Sequence, residues 1–241
     1  MPKLVLPTNV GIRNHKVATN LLQKILSTKK FHYELAQNCK VVYDNFVSKR
    51  RRRENMKEND LLLVTDMQNV YKKGGKWECL NTEGAAANIK SIISSGLQNV
   101  IFTRFIANEK NPYGCWKDYN QKYSDVNNNS YANKMIDEFA EELKKFPLYT
   151  KSVYSSLSIP QVLARAKKSG RVVITGVIAE CCVLSTVIEL IDQGIYTVYL
   201  TDAVSGLDKP KEEATKLILS GLCPLHVKML TTKEYLCEID D

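Results

Sequence analysis

From residue 61 onward, short apolar runs alternate with amphipathic stretches. The apolar runs predict buried strands at 61–66, 99–105, 148–151, 171–177, 196–201 and 226–230. Between them, apolar residues at helical spacing predict helices at 83–95, 131–145, 160–169, 182–193 and 211–220. Strands that alternate with helices are typical of an α/β fold. We therefore predict a three-layer, doubly wound, mostly parallel six-stranded sheet with helices on both faces.

A polar stretch at 107–130 interrupts this alternation. It contains Tyr113 and Trp116, and the pattern predicts no helix or strand in it. A connection of this length in a compact domain is usually functional, often as a lid or a substrate loop. We expect it to lie near a ligand site.

The formal charge of +8 is concentrated at the start of the chain. Residues 1–55 hold 12 lysines and arginines against 3 acidic residues, whereas residues 56–241 hold 22 against 23. We predict that 1–55 is a basic extension, weakly ordered or with a short helix, and that 56–241 is the folded domain. A transit peptide, a nucleic-acid arm and an upstream sequence read in the same frame all remain open for the extension. Nucleic-acid binding is expected only through 1–55, if at all.

The cysteines and the apolar runs narrow the class of protein. The chain has 7 cysteines, an odd number at scattered positions and without a CxxC pair, which favours a reducing compartment over a disulfide framework. No apolar run approaches the roughly 20 residues that span a bilayer, and the first residues lack a secretory signal. The 3 histidines are far apart. We expect a cytoplasmic protein with no membrane segment and no metal site.

Three reactive side chains follow predicted strands. Asp66 ends the first strand, Lys151 ends the short strand at 148–151, and Cys182 opens the helix after the strand at 171–177. The carboxyl ends of parallel strands meet at one edge of a sheet, so these side chains are expected to converge. A thiol at a helix N-terminus is biased toward the nucleophilic thiolate. The three residues therefore predict a base, a charge stabiliser and a nucleophile.

Four segments at these positions resemble a known family. They are LLVTDMQNVY at 62–71, KSVYSSL at 151–157, GVIAECCVLST at 176–186 and TDAV at 201–204. In this order and spacing the chain resembles the isochorismatase-like cysteine hydrolase superfamily, which includes nicotinamidases, carbamoylsarcosine amidases and ureidoacrylate hydrolases. The resemblance covers most of residues 57–235.

The resemblance implies a role for each residue of the site. Asp66 would act as the general base, Lys151 would stabilise charge, and Cys182 rather than Cys181 would attack a carbonyl carbon. It also implies a cis peptide bond between Val177 and Ile178, which would aim the N–H groups of Ile178 and Cys182 into an oxyanion hole. The implied reaction is hydrolysis of the C–N bond of a small amide, ureide or carbamoyl compound through a thioester, and it requires no cofactor.

Five further residues are predicted to contact the small-molecule substrate: Gln68, Trp77, Arg104, Tyr113 and Trp116. Aromatic walls with one or two polar anchors suit a small planar amide. Arg104 would either bind a substrate carboxylate or form an internal ion pair. The two tryptophans would either line the pocket or cover the core edge or a subunit contact.

Departures from the family pattern narrow the reaction. Nicotinamidases carry an Asp-x-His metal pair after the second strand, where this chain has Thr103, Arg104 and Phe105. A metal-dependent nicotinamidase is therefore disfavoured, and the cysteine favours C–N hydrolysis over vinyl-ether cleavage. Family members are commonly dimers or tetramers, so we expect a homo-oligomer. The alternative is a catalytically silent member of the fold that binds a metabolite or a protein.

Overall fold

The computed structural model describes residues 59–240. The basic extension, its predicted short helix and the predicted boundary at residue 56 lie outside the described residues. Six strands are present: β1 Asp60–Thr65, β2 Val100–Phe105, β3 Leu148–Lys151, β4 Arg171–Val177, β5 Thr197–Ser205 and β6 Val227–Leu230. Each of the six predicted strands is confirmed, with ends that move by a few residues.

All neighbouring strands of the sheet run parallel, in the order β3-β2-β1-β4-β5-β6. The chain winds outward from β1 in one direction and then from β4 in the other. The α/β doubly wound fold is therefore confirmed. In such sheets ligands bind beyond the carboxyl ends of the strands where the winding direction reverses. That point lies between β1 and β4, which precede Asp66 and Cys182.

Helices cover both faces of the sheet. They are α1 Thr82–Ser94, α2 Cys115–Lys122, α3 Ser124–Asn127, α4 Pro160–Lys168, α5 Leu184–Asp192, α6 Lys209–Ser220 and α7 Thr232–Asp240. Alternate residues of β1 face opposite sides, so Leu62 packs into one buried cluster with α1 and Leu63 into another with α4 and α5. The described residues therefore form two cores and three layers. None of the described helices is long and apolar enough to cross a membrane.

The predicted helix at 131–145 is wrong. Only two 3₁₀ turns form there, at Asp137–Phe139 and Glu142–Lys144. The residues before them lie beside the segment that follows β1: Asn69 N–H donates to the Lys134 carbonyl, and Ile136 N–H donates to the Met67 carbonyl, both at 2.9 Å. Backbone groups that pair across the chain in this way cannot form a helix of their own.

Two further predictions of secondary structure need correction. The polar stretch at 107–130 contains α2 and α3, whose amphipathic pattern was too short to identify from sequence. The helix α7 at the end of the chain was not predicted either.

Gly176 lies inside β4 at a φ of 98°. A Cβ atom at this position would lie 2.0 Å from the Thr65 carbonyl oxygen of the neighbouring strand. Only glycine tolerates both this φ and this approach. Gly176 thus brings the ends of β1 and β4 close together.

Candidate active site

Asp66, Lys151 and Cys182 are in contact beyond the carboxyl ends of the strands. Lys151 Nζ lies 2.6 Å from Asp66 Oδ2 and 3.3 Å from Cys182 Sγ. The side chains of Asp66 and Lys151 are fully buried, and Cys182 is 3% exposed. The structure therefore brings together the three side chains that the sequence singled out.

Each of the three is held by a different local structure. Asp66 follows β1 at a φ of 52°, in the left-handed region that aspartate enters more readily than most residues. Lys151 is the last residue of β3, and its Nζ also donates to the Val153 carbonyl at 3.1 Å. Cys182 lies in a π-helical turn, Ala179–Val183, that precedes α5. π-Helical turns of this kind are often found at functional sites.

The two carboxylate oxygens of Asp66 have different surroundings. Oδ1 accepts a hydrogen bond from the Thr103 hydroxyl at 2.9 Å. Oδ2 forms the ion pair with Lys151 but receives no well-directed hydrogen bond from any described residue. The Thr103 hydroxyl and the Lys151 ammonium group thus contact different oxygens of the carboxylate.

The resting thiol does not match the thiolate expected from its position at a helix start. Burial, followed by the Asp66 carboxylate, raises the pKa of the Cys182 thiol well above its ordinary value, and Lys151 opposes this only in part. For Lys151, burial lowers the pKa, but the neighbouring carboxylate and sulfur outweigh burial and raise it. The burial of the thiol and the neighbouring carboxylate thus oppose the effect that was expected from the helix start.

The turn that carries Cys182 also presents backbone donors. The peptide bond between Val177 and Ile178 is cis, as the resemblance implied. The carbonyl of Ile178 accepts hydrogen bonds from the N–H groups of Cys181 and Val183, each at 3.1 Å. In the part of the chain that the structure describes, the N–H groups of Ile178 and Cys182 make no hydrogen bond to residues outside this turn. Both remain candidates for an oxyanion hole.

Aromatic side chains pack beside the three reactive groups. We call them the aromatic cluster: Tyr71, Trp77, Phe105, Trp116, Tyr119, Tyr123 and Tyr154. Tyr119 is central, with its ring 4.8 Å from that of Tyr123 and 5.3 Å from that of Trp116. Phe105 links the cluster to the site, because its ring centroid lies 5.7 Å from Lys151 Nζ. Trp77 and Trp116 therefore belong to an aromatic wall.

The other three predicted substrate contacts are placed differently. The Gln68 amide donates to the carbonyls of Phe105 and Asn133 and accepts from Phe105 N–H, so it holds two segments together. Arg104 donates to the Thr150 hydroxyl, on the opposite sheet face from Lys151. Tyr113 is 89% exposed and makes no ring contact within the described residues. None of these placements supports a substrate contact.

Sequence reasoning missed Thr103, Tyr119 and Tyr154. Thr103 could have been found, because strand alternation places residues 103 and 105 on the same sheet face and residue 104 on the other. Tyr119 lies on α2, which the sequence did not reveal. Tyr154 lies in the segment KSVYSSL at 151–157, which resembles the family, but its own role was not predicted.

Other features of the molecule do not bear on this site. A cavity of about 660 Å³, lined by Asn59, Asn99 and Ser169 among others, lies at the amino ends of β1, β2 and β4, on the opposite edge of the sheet. Within residues 59–240, no three histidine, cysteine, aspartate or glutamate side chains cluster as a metal site requires.

Comparisons with known proteins agree with this geometry. The isochorismatase domain family model matches residues 60–232. A cysteine hydrolase from Pseudomonas syringae pv. phaseolicola 1448A has a similar structure at 17% identity, with a TM-score of 0.65 over 76% of this chain and 92% of that chain. No curated protein matches the chain.

Two other structural neighbours carry different activities in their names. The MAR1 ribonuclease from Caenorhabditis elegans aligns with a TM-score of 0.58 at 17% identity, over 76% of this chain and 82% of that chain. The pyrazinamidase/nicotinamidase from Streptococcus mutans UA159 aligns with a TM-score of 0.56 at 17% identity, over 71% and 99%. At such identity the likeness concerns the fold alone.

Proposed function

This chain belongs to the isochorismatase family of hydrolases, and from that premise we propose that it cleaves the C–N bond of a small amide, ureide or carbamoyl compound through a thioester on Cys182. The observation that carries the proposal is the buried contact of a thiol, an ammonium group and a carboxylate within 3.3 Å. Burial of two charges is costly unless the charges are used or well paired. Their position beside a thiol supports a chemical role for them.

In the first half of the reaction, Asp66 Oδ2 accepts the thiol proton as the sulfur adds to the substrate carbonyl carbon. The raised pKa of the Cys182 thiol means that this transfer accompanies attack rather than preceding it. Lys151 stabilises the negative charge on sulfur during the transfer. The Ile178 and Cys182 N–H groups would bind the oxyanion, and such donors are worth about 3–4 kcal/mol of barrier.

In the second half, the tetrahedral intermediate collapses and its C–N bond breaks. The departing nitrogen takes the proton that Asp66 holds, so ammonia or an amine leaves and a thioester remains. Water then attacks the thioester carbon while Asp66 accepts a proton from that water. The C–S bond breaks, the acid product leaves, and the proton returns from Asp66 to sulfur. The net reaction consumes one water and no redox partner.

The surroundings of the site support a small, planar, uncharged substrate. The aromatic cluster offers ring faces and edges, which bind flat apolar groups by stacking. Arg104 is directed to the other sheet face, so the predicted anchor for a substrate carboxylate is removed from the proposal.

A second candidate function is a binding module that uses the same pocket without catalysis. The observation that favours it is the burial of Cys182, which is 3% exposed, because burial raises the pKa of the thiol and disfavours the thiolate. On this alternative the ion pair would be structural, and replacement of the thiol would leave ligand affinity unchanged.

The deciding experiment measures ammonia release from a panel of small amides, ureides and carbamoyl compounds. RNA cleavage is followed separately on a gel, because that reaction releases no ammonia and one structural neighbour is named a ribonuclease. Wild type is compared with Cys182→Ala and with the matched control Cys181→Ala, whose thiol is the half-buried neighbour in the same turn. Release that disappears only in Cys182→Ala supports the proposal. Equal loss in both variants contradicts the assignment of the nucleophile, and silence with all compounds supports the binding module.

A further inference from the structure

Three buried hydroxyl side chains lie behind the site and have no part in the reaction described above. Thr103, Ser156 and Thr186 are each 0% exposed. They come from three different elements: β2, the 3₁₀ turn Ser156–Ser158, and the first turn of α5. Buried hydroxyl groups are costly unless they are hydrogen-bonded, so their contacts identify what they serve.

At one end, Thr103 holds the proposed base. Its hydroxyl donates to Asp66 Oδ1 at 2.9 Å, and its carbonyl accepts the Asp66 N–H at 3.1 Å. Its hydroxyl also lies 3.4 Å from the Ser156 hydroxyl. Thr103 therefore fixes the carboxylate through both its main chain and its side chain.

At the other end, Thr186 holds the turn that carries the proposed nucleophile. Its hydroxyl donates to the Cys182 carbonyl at 2.7 Å and accepts the Ser156 N–H at 3.0 Å. A threonine hydroxyl that bonds the carbonyl four residues earlier competes with the regular helix pattern. Here the hydrogen bond ties the π-helical turn to α5.

We propose that Thr103, Ser156 and Thr186 form a positioning network that holds the Asp66 carboxylate and the Cys182 turn at the relative position that proton transfer requires. The network joins base and nucleophile without Lys151, so the two are connected both through the ammonium group and through the hydroxyl groups. This inference rests on the proposed function and deepens it.

The hydrogen bond from Thr103 acts on the charge of Asp66 as well as on its orientation. It occupies Oδ1, whereas Oδ2 forms the ion pair with Lys151. A donor to a carboxylate favours the ionised form over the protonated form. The titratable groups that face Asp66 from the packed elements are Lys151 on β3, Cys182 on the π-helical turn and Tyr71 after β1. None of these occupies Oδ1, so removal of the Thr103 hydroxyl leaves that oxygen without its donor.

The test replaces the hydroxyl with a methyl group of the same shape. Thr103→Val is expected to lower kcat about tenfold and to move the acid limb of the kcat/KM profile up by about one pH unit, because one unit corresponds to a hydrogen bond of ordinary strength to a charged group. Thr103→Ser is expected to restore both values. Thr103→Ala replaces Thr103→Val if the valine variant does not fold.

The matched control is Thr175→Val. Thr175 is also 0% exposed and lies in a central strand, and its hydroxyl donates to the Leu63 carbonyl at 3.1 Å. The control removes a buried threonine hydroxyl without touching Asp66, Lys151 or Cys182. It is expected to lower the melting temperature while leaving the pH profile unchanged. An unmoved acid limb in Thr103→Val, or an equal shift in Thr175→Val, overturns the proposal.

A second readout needs no substrate, so it separates failure of this inference from failure of the proposed function. The decrease in melting temperature of Thr103→Val relative to wild type is measured from neutral to acid pH. It is expected to be larger at neutral than at acid pH, because a hydrogen bond to a charged acceptor is stronger than one to a neutral acceptor. The loss in Thr175→Val is expected to be constant. Parallel curves for the two variants contradict the positioning network even if no substrate is found.

Discussion

Replacement of Lys151 with methionine is expected to destabilise the protein by about 3–5 kcal/mol, because it leaves the Asp66 carboxylate buried without its counter-charge. The magnitude follows from the geometry: the two charged atoms lie 2.6 Å apart and both side chains are 0% exposed. Water cannot compensate for the lost ammonium group at this depth. Hydrolysis of any substrate is expected to disappear as well.

The matched control is Lys144→Met. Lys144 pairs with Glu141 at the same distance of 2.6 Å, but the two side chains are 67% and 71% exposed. Exposed pairs contribute about 0–1 kcal/mol, so this variant is expected to unfold at nearly the wild-type urea concentration. Because the two pairs have the same distance, the comparison separates the effect of burial on the free energy of unfolding from the effect of distance.

The assay is urea unfolding followed by circular dichroism, which gives the free energy of unfolding for each variant. The double variant Asp66→Asn/Lys151→Met removes both charges and is expected to recover most of the lost stability, since the uncompensated charge is gone. A Lys151→Met variant within about 1 kcal/mol of wild type would refute the reasoning. A double variant as unstable as Lys151→Met would assign the cost to lost packing and to the lost hydrogen bond with Val153.

Three further predictions concern other parts of the site. Gly176→Ala is expected to lower the free energy of unfolding by about 3 kcal/mol or more, because its Cβ would overlap the Thr65 carbonyl. Gly194→Ala, which is also at positive φ but has open space around it, is expected to lower it by about 1 kcal/mol. Equal costs in thermal unfolding would contradict the role of close approach. The rate of Cys182 alkylation by iodoacetamide is expected to be slow at neutral pH and to rise only above the ordinary thiol pKa of about 8.5, since the pKa of Cys182 is raised. Peptide mass spectrometry is expected to show that the exposed Cys115 reacts first. Prompt labelling of Cys182 would show that its thiol is already ionised. Trp116→Ala is expected to raise KM about tenfold through lost ring contacts, and Tyr113→Ala is expected to leave KM unchanged. Similar KM values for the two variants would show that the aromatic cluster does not contact the substrate.

Much of the fold was predictable because buried parallel strands are short, apolar and bounded by polar residues. The segments at 61–66 and 171–177 carry this signal and form β1 and β4. The helix predicted at 131–145 failed for a tertiary reason, since its first residues pair with the segment after β1. The short helices α2 and α3 failed for a local reason, since few of their residues are buried and their apolar pattern is weak.

The succession of the six strands and of four helices along the chain followed from the sequence, as did the reactive residues after three of the strands. That is so because hydrophobic periodicity and the parallel arrangement are local and topological properties. It therefore identified Asp66, Lys151 and Cys182 as residues that meet, together with the family to which the chain belongs.

Only the tertiary structure decided what surrounds those residues. Arg104 faces away from the site and Thr103 faces into it, because the pleat of β2 sends neighbouring side chains to opposite faces. Burial beside a carboxylate raises the pKa of the Cys182 thiol, whereas its position at a helix start predicted a lowered pKa. Orientation and burial depend on contacts between residues that are distant in the chain, and no local pattern records them.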